Sequence, residues 1–147
     1  MIISARVSRR DHSSYVLHVR SRPVGWLRTG ALGICGFDDD EQARDAAGVA
    51  ARTLEQWYRA RWRSATPMPW PAEPAPGDPV TSGGTVVGRL VSPCPVPDAE
   101  GETHGFELRV PDQLWVATGV ELAQRICTAL DEAGLSPMGR PDLLPAS

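Results

Sequence analysis

The chain has 147 residues, a formal net charge of −3 and 41% hydrophobic residues. That length supports one core-forming domain and falls well short of the roughly 250 residues of a (β/α)8 barrel. Ordinary apolar content without a sustained heptad excludes collagen, coiled coil and full disorder.

In chain order, Ile2–Val7 and Tyr15–Arg20 alternate apolar and polar residues as half-buried strands around a turn at Ser8–Ser14. Trp26 opens a third strand. A helix is expected to begin near Asp38 or Asp39, where carboxylates accept from free N–H groups and face the positive end of the dipole. Ala43, Ala46, Ala47, Ala50, Ala51, Leu54, Trp57 and Tyr58 form its apolar stripe, with Arg44, Arg52, Arg59 and Arg63 on the opposite arc. Residues 67–79 then hold six of the chain's 14 prolines, a semi-rigid connector in which Trp70 is expected to anchor the strap. Val86–Val91 and Gly105–Val110 read as strands, and Trp115 as the start of another. Thr118-x-x-Glu121 is a capping box for a second helix with Leu122, Ala123, Ile126, Ala129 and Leu130 inward, ending at Gly134-Leu135. Ser136–Ser147 is a loose tail.

The two halves repeat one another. Arg6-Val7 matches Arg89-Leu90, and Tyr15–Val19 matches Phe106–Val110. Trp26-x-x-Thr29-Gly30 matches Trp115-x-x-Thr118-Gly119, and the Ala47, Ala50, Leu54 spacing matches Ala123, Ile126, Leu130. The expected fold is therefore α+β. Tandem β-β-β-α units at 1–64 and 85–135, joined by a linker at 65–84 and followed by a tail at 136–147, fuse into a six-stranded antiparallel sheet with two helices on one face.

Charge divides along the same boundary. Residues 1–66 carry 11 Arg against 7 acidic residues, and residues 67–147 carry 4 Arg against 11. No Lys occurs, so every basic side chain is a guanidinium, a planar fork suited to carboxylate or phosphate. GC-rich codon usage is the leading explanation of the missing Lys; escape from lysine modification is the functional one.

Little in the chain reads as chemistry. Asp38-Asp39-Asp40-Glu41 is a helix start before it is a metal site. His12, Cys94 and His104 beside the two strand–strand loops fall short of a metal-ligand set. Cys35 lies just before the acid-rich helix start, where neighbouring aspartates oppose a thiolate, and Cys127 reads as a small hydrophobe. Gly83-Gly84 precedes a strand, not a helix, and so cradles no phosphate. No nucleophile elbow, phosphate loop or dinucleotide fingerprint occurs. The expectation is a protein without catalytic residues, metal or cofactor. With neither an h-region in MIISARVSRR nor a membrane-length apolar run, the expected compartment is the cytoplasm.

Three strands followed by a helix resemble double-stranded-RNA-binding domains, the amino-terminal domains of phage-type integrases and the antitoxins of small RNase toxin pairs. Gly36-Phe-Asp-Asp-Asp-Glu-Gln-Ala43 is similar to the phrase that opens the helix in the last two. The resemblance is architectural and implies no shared function.

The leading functional reading is a small regulatory or accessory module that binds another protein, or itself as a homodimer, through a sheet face or edge, with Trp26, Trp62, Trp70 and Trp115 as candidate contacts. The alternative is nucleic-acid binding through the basic half, with Arg9, Arg10, Arg20, Arg22 and Arg28 on phosphates. A second alternative is a small-molecule pocket at the seam between the repeats, where His12 and His104 would meet.

Overall fold

The computed structural model describes residues 5–11, 14–19, 22–28, 30–62, 70, 77–92, 104–110 and 112–135. Its elements in chain order are β1 (Ala5–Asp11), β2 (Ser14–Val19), β3 (Arg22–Arg28), β4 (Ala31–Phe37), α1 (Asp40–Trp62), β5 (Pro79–Ser82), β6 (Thr85–Val91), β7 (His104–Arg109) and α2 (Asp112–Glu132). All strands join one antiparallel sheet in the order β1-β2-β3-β4-β7-β6-β5. The α+β class and the helices on one face are as expected, but the strand count among the described residues is seven, not six.

Three corrections follow. Ala31–Phe37 is a strand that alternation does not reveal, because nearly every residue of Ala-Leu-Gly-Ile-Cys-Gly-Phe is buried. Pro79–Ser82 is also a strand, although it falls within the expected 65–84 linker; Gly83-Gly84 closes its tight turn into β6. Trp115 opens no strand. It lies inside α2, which starts at Asp112, so Thr118 is a mid-helix residue and the capping box does not form there.

The helices form where their stripes predict. Asp39 Oδ1 accepts from the Gln42 N–H at 2.8 Å, while Gln42 Oε1 accepts from the Asp38 N–H at 3.1 Å, satisfying two donors at the start of α1. Ala43, Ala46, Ala47, Ala50, Ala51, Leu54 and Trp57 are buried in the main core. α2 ends in a Schellman motif: Leu135 N–H donates to Leu130 O at 2.8 Å, Gly134 N–H to Asp131 O at 3.0 Å, and Gly134 has φ 75°. Leu122, Ile126, Cys127 and Leu130 are buried beneath it. Small alanines along α1 allow close approach to α2 and to the sheet.

Leaving aside the edge strand β1, the sheet is symmetric in topology about the β4–β7 seam. On either side lie three strands followed by a helix: β2-β3-β4-α1 and β5-β6-β7-α2. The same irregularity recurs in each. Leu17 pairs with Gly25 and His18 with Pro23, leaving Val24 as the extra residue; Val80 pairs with Gly88 and Thr81 with Val86, leaving Val87. These bulges let Val24 and Leu27, and likewise Val87 and Leu90, enter one core although three residues apart. A side chain at Gly25 or Gly88 would collide with the carbonyl of Gly33 or Glu107 on the neighbouring strand, at 2.1 and 2.0 Å. The matching segments are thus Val24-Gly-Trp-Leu27 and Val87-Gly-Arg-Leu90. The expected match of Trp26 with Trp115 pairs a strand with a helix and fails. Matching Arg6-Val7 with Arg89-Leu90 sets the edge strand β1 against the inner strand β6, one hairpin out of step. Ala50 and Leu54 are buried in α1, and Ile126 and Leu130 in α2.

Each helix reaches across the seam. α1 follows β4 yet packs chiefly on β7 and β5, whereas α2 follows β7 and packs on β1 and β3; the two helices also pack together. Trp70 packs against this main core, the anchoring role expected of it. Among the described residues no helix is long and apolar enough to cross a membrane.

Candidate functional site

The face of the sheet opposite the helices carries one polar network at the seam. Registered partners in an antiparallel sheet share a face. Trp26, Gly33, Glu107 and Arg89 therefore form one row across β3, β4, β7 and β6. The neighbouring row holds Arg28, Ala31 and Arg109. Gly33 leaves no side chain on β4, so the Trp26 indole lies across that strand; a Cβ at residue 33 would fall 2.0 Å from the indole Cζ2. The indole thereby reaches β7, where its Nε1–H donates to Glu107 Oε2 at 2.7 Å.

Glu107 is buried, at 6% exposure, and holds three donors. Besides Trp26, Arg28 Nη2 donates to Oε2 at 2.8 Å and Arg89 Nε to Oε1 at 3.3 Å. A buried carboxylate is tolerated when charge and lone pairs are both met. Glu107 has that environment, with two guanidinium groups and an indole from two other strands, β3 and β6. Beside it, Trp26, Cys35 and Val91 form a small apolar cluster with Val16 against it, the space between Cys35 and Val91 being left by Gly105.

The two described cysteines, Cys35 and Cys127, are placed for packing. Cys35 lies within β4 and its side chain joins the Trp26 cluster, so the helix start does not act on it as a site. Burial pushes the Cys127 thiol up to about 12, which keeps it protonated at neutral pH. His104 Nδ1 lies 2.9 Å from Asp40 Oδ1, tying the start of β7 to the start of α1. Among the described residues no group of three or more His, Cys, Asp or Glu could hold a metal ion.

The expected contact residues scatter. Trp26 is committed to Glu107, and Trp70 packs on the core. Trp62 and Trp115 lie in α1 and α2, their side chains outside the described residues. Arg9 and Arg10 are in β1 and Arg22 starts β3; Arg20 lies outside the described residues. Register sets Arg9 beside Tyr15 and Arg28 beside Ser14, at one end of the sheet, but Arg22 beside Val19 at the other. Arg22 and Arg28 stand six positions apart along β3, about 20 Å at ~3.3 Å per residue. The five arginines therefore form no single row.

His12 lies outside the described residues, and His104 pairs with Phe37 at the end of β4. What the seam does gather is Glu107, Arg28, Arg89 and Arg109, of which Arg28 alone is a candidate contact in the sequence. Comparison of the chain with protein-family models, with curated proteins and with solved structures returns no match.

Proposed function

We propose that the protein is a non-catalytic accessory module that binds an extended, acidic segment of a partner protein along the outer edge of β1. The observation that carries this reading is the inequality of the two sheet edges. β5 is four residues long and begins with Pro79, which has no N–H, and Arg44 Nη1 donates to the Pro79 carbonyl at 3.0 Å. Those are the usual devices that blunt an edge against strand addition. β1 has seven residues and, among the described residues, pairs only with β2. An extended peptide adding there would gain main-chain hydrogen bonds.

Charge chooses the occupant. β1 holds Arg6, Arg9 and Arg10 against Asp11. Two copies of β1 paired antiparallel about Ser8 would set Arg6 opposite Arg10, and like charges directly opposite destabilise a sheet. An acidic strand meets the same arginines favourably and is steered toward them. Nucleic acid is the weaker reading, because the arginines lie at both ends of the sheet and Arg28 is engaged by Glu107.

Labelled seven-residue peptides alternating Glu with Val, and Lys with Val, test this by fluorescence anisotropy beside mixed-sequence DNA and RNA. The expected result is salt-dependent binding of the Glu peptide alone, weakened about tenfold or more by Arg9→Glu with Arg10→Glu. Equal binding of both peptides, binding of nucleic acid alone, or no binding at low salt overturns the reading. As to origin, we read β2-β3-β4-α1 and β5-β6-β7-α2 as duplicated units with β1 added, on the strength of the paired bulges.

A further inference from the structure

We propose that Arg28 and Arg109 form a binding site for a small anionic group, a carboxylate or a phosphate, over Ala31 at the β4–β7 seam. The site is independent of the β1 edge. Arg28 pairs with Ala31 and Ala31 with Arg109, so the two arginines flank one alanine on the sheet face opposite the helices. Two strand spacings separate them, about 10 Å between Cα atoms, and arginine side chains from both sides can converge over that span. The Val110 N–H donates to the Gly30 carbonyl at 3.0 Å, which makes the adjacent Ala31–Arg109 pair one of the closer, non-hydrogen-bonded kind. Between the arginines stands only a methyl group.

The two guanidinium groups differ in a useful way. Arg28 is held by Glu107 through Nη2 and its side chain is still 53% exposed, so its direction is set while no other acceptor among the described residues takes its N–H groups. Arg109 is half-buried and has no partner among the described residues. A guanidinium without an acceptor in a partly desolvated place favours an anion, and two planar forks suit a carboxylate or phosphate. The balance of charge agrees: Arg28, Arg89 and Arg109 surround the single carboxylate of Glu107, which is already engaged by three donors. The face keeps a net positive charge over the seam, with Arg28 oriented before any ligand arrives.

The test titrates the full chain with sodium phosphate and, separately, sodium succinate against sodium chloride at matched ionic strength, following the arginine Nε–H resonances. Saturable shifts confined to Arg28 and Arg109 are expected, and which of the two anions saturates identifies phosphoryl or carboxylate chemistry. Arg109→Gln removes a group with no partner among the described residues and should weaken binding about tenfold. Ala31→Leu keeps both arginines and should abolish binding by filling the gap. Arg52→Gln on the exposed arc of α1 should leave affinity unchanged. Shifts that grow linearly with either salt, or an unaltered affinity in folded Arg109→Gln, overturn the proposal.

Discussion

Trp26 reaches Glu107 by crossing a strand, and it can do so because residue 33 has no side chain. The carboxylate would otherwise face burial with its charge only partly met, since breaking one partner of a buried ionic group typically costs about 3–5 kcal/mol. Indole, two guanidinium groups and one glycine are therefore a single device. Gly33→Ala should lift the indole, lengthen the 2.7 Å bond and destabilise the fold by about 2–4 kcal/mol, through overpacking plus a lost charge-assisted bond. The physical claim is one of coupling, so a double-mutant cycle checks it. In a Trp26→Val background the same alanine should cost under ~1 kcal/mol by urea unfolding. An equal cost in both backgrounds would place the damage in the β4 backbone instead.

At the scale of elements, local signals were read well wherever local chemistry decides. The start of α1 is one such place. Asp39 and Gln42 satisfy two donors there, so Asp39→Ala should lower stability by about 1 kcal/mol in thermal or urea unfolding, while Asp38→Ala, whose backbone N–H alone takes part, should change it by less than half as much. The alanine stripe of α1 was legible for the same reason, since a 3.6-residue period survives any tertiary context. β4 was not, because a strand buried on both faces has no alternation to read, and a short apolar run with two glycines fits several structures. β5 was hidden by Pro79, which reads as linker although an edge strand accepts proline. Trp115 misled by identity: Trp-x-x-Thr-Gly is strand and turn in one half and helix in the other. The bulges at Val24 and Val87 break the period of two, so neither β3 nor β6 shows clean alternation in the sequence. The Glu107 network was illegible for a different reason. Two of its donors, Trp26 and Arg28, stand 81 and 79 residues away along the chain, and no local pattern links them to it.

The whole molecule is interlocked, and that decides what can fold. α1 belongs by sequence to the first half but covers strands of the second, and α2 does the reverse. Cutting the chain between Thr66 and Pro67 would leave each half with its own strands uncovered and its helix without the surface it packs on. Halves of roughly 65–80 residues have little core to spare even when complete, and these would also lose the β4–β7 pairing and the Glu107 network. Each fragment expressed alone should therefore show no cooperative unfolding and little amide protection. Mixed in equal amounts, the fragments should assemble, because every buried contact across the seam is noncovalent and the cut adds only the entropy of association. Circular dichroism melting of the mixture should then become cooperative and concentration-dependent. A cooperative transition from the 67–147 fragment alone would sink this account, since it would mean that β5, β6, β7 and α2 make a core without α1.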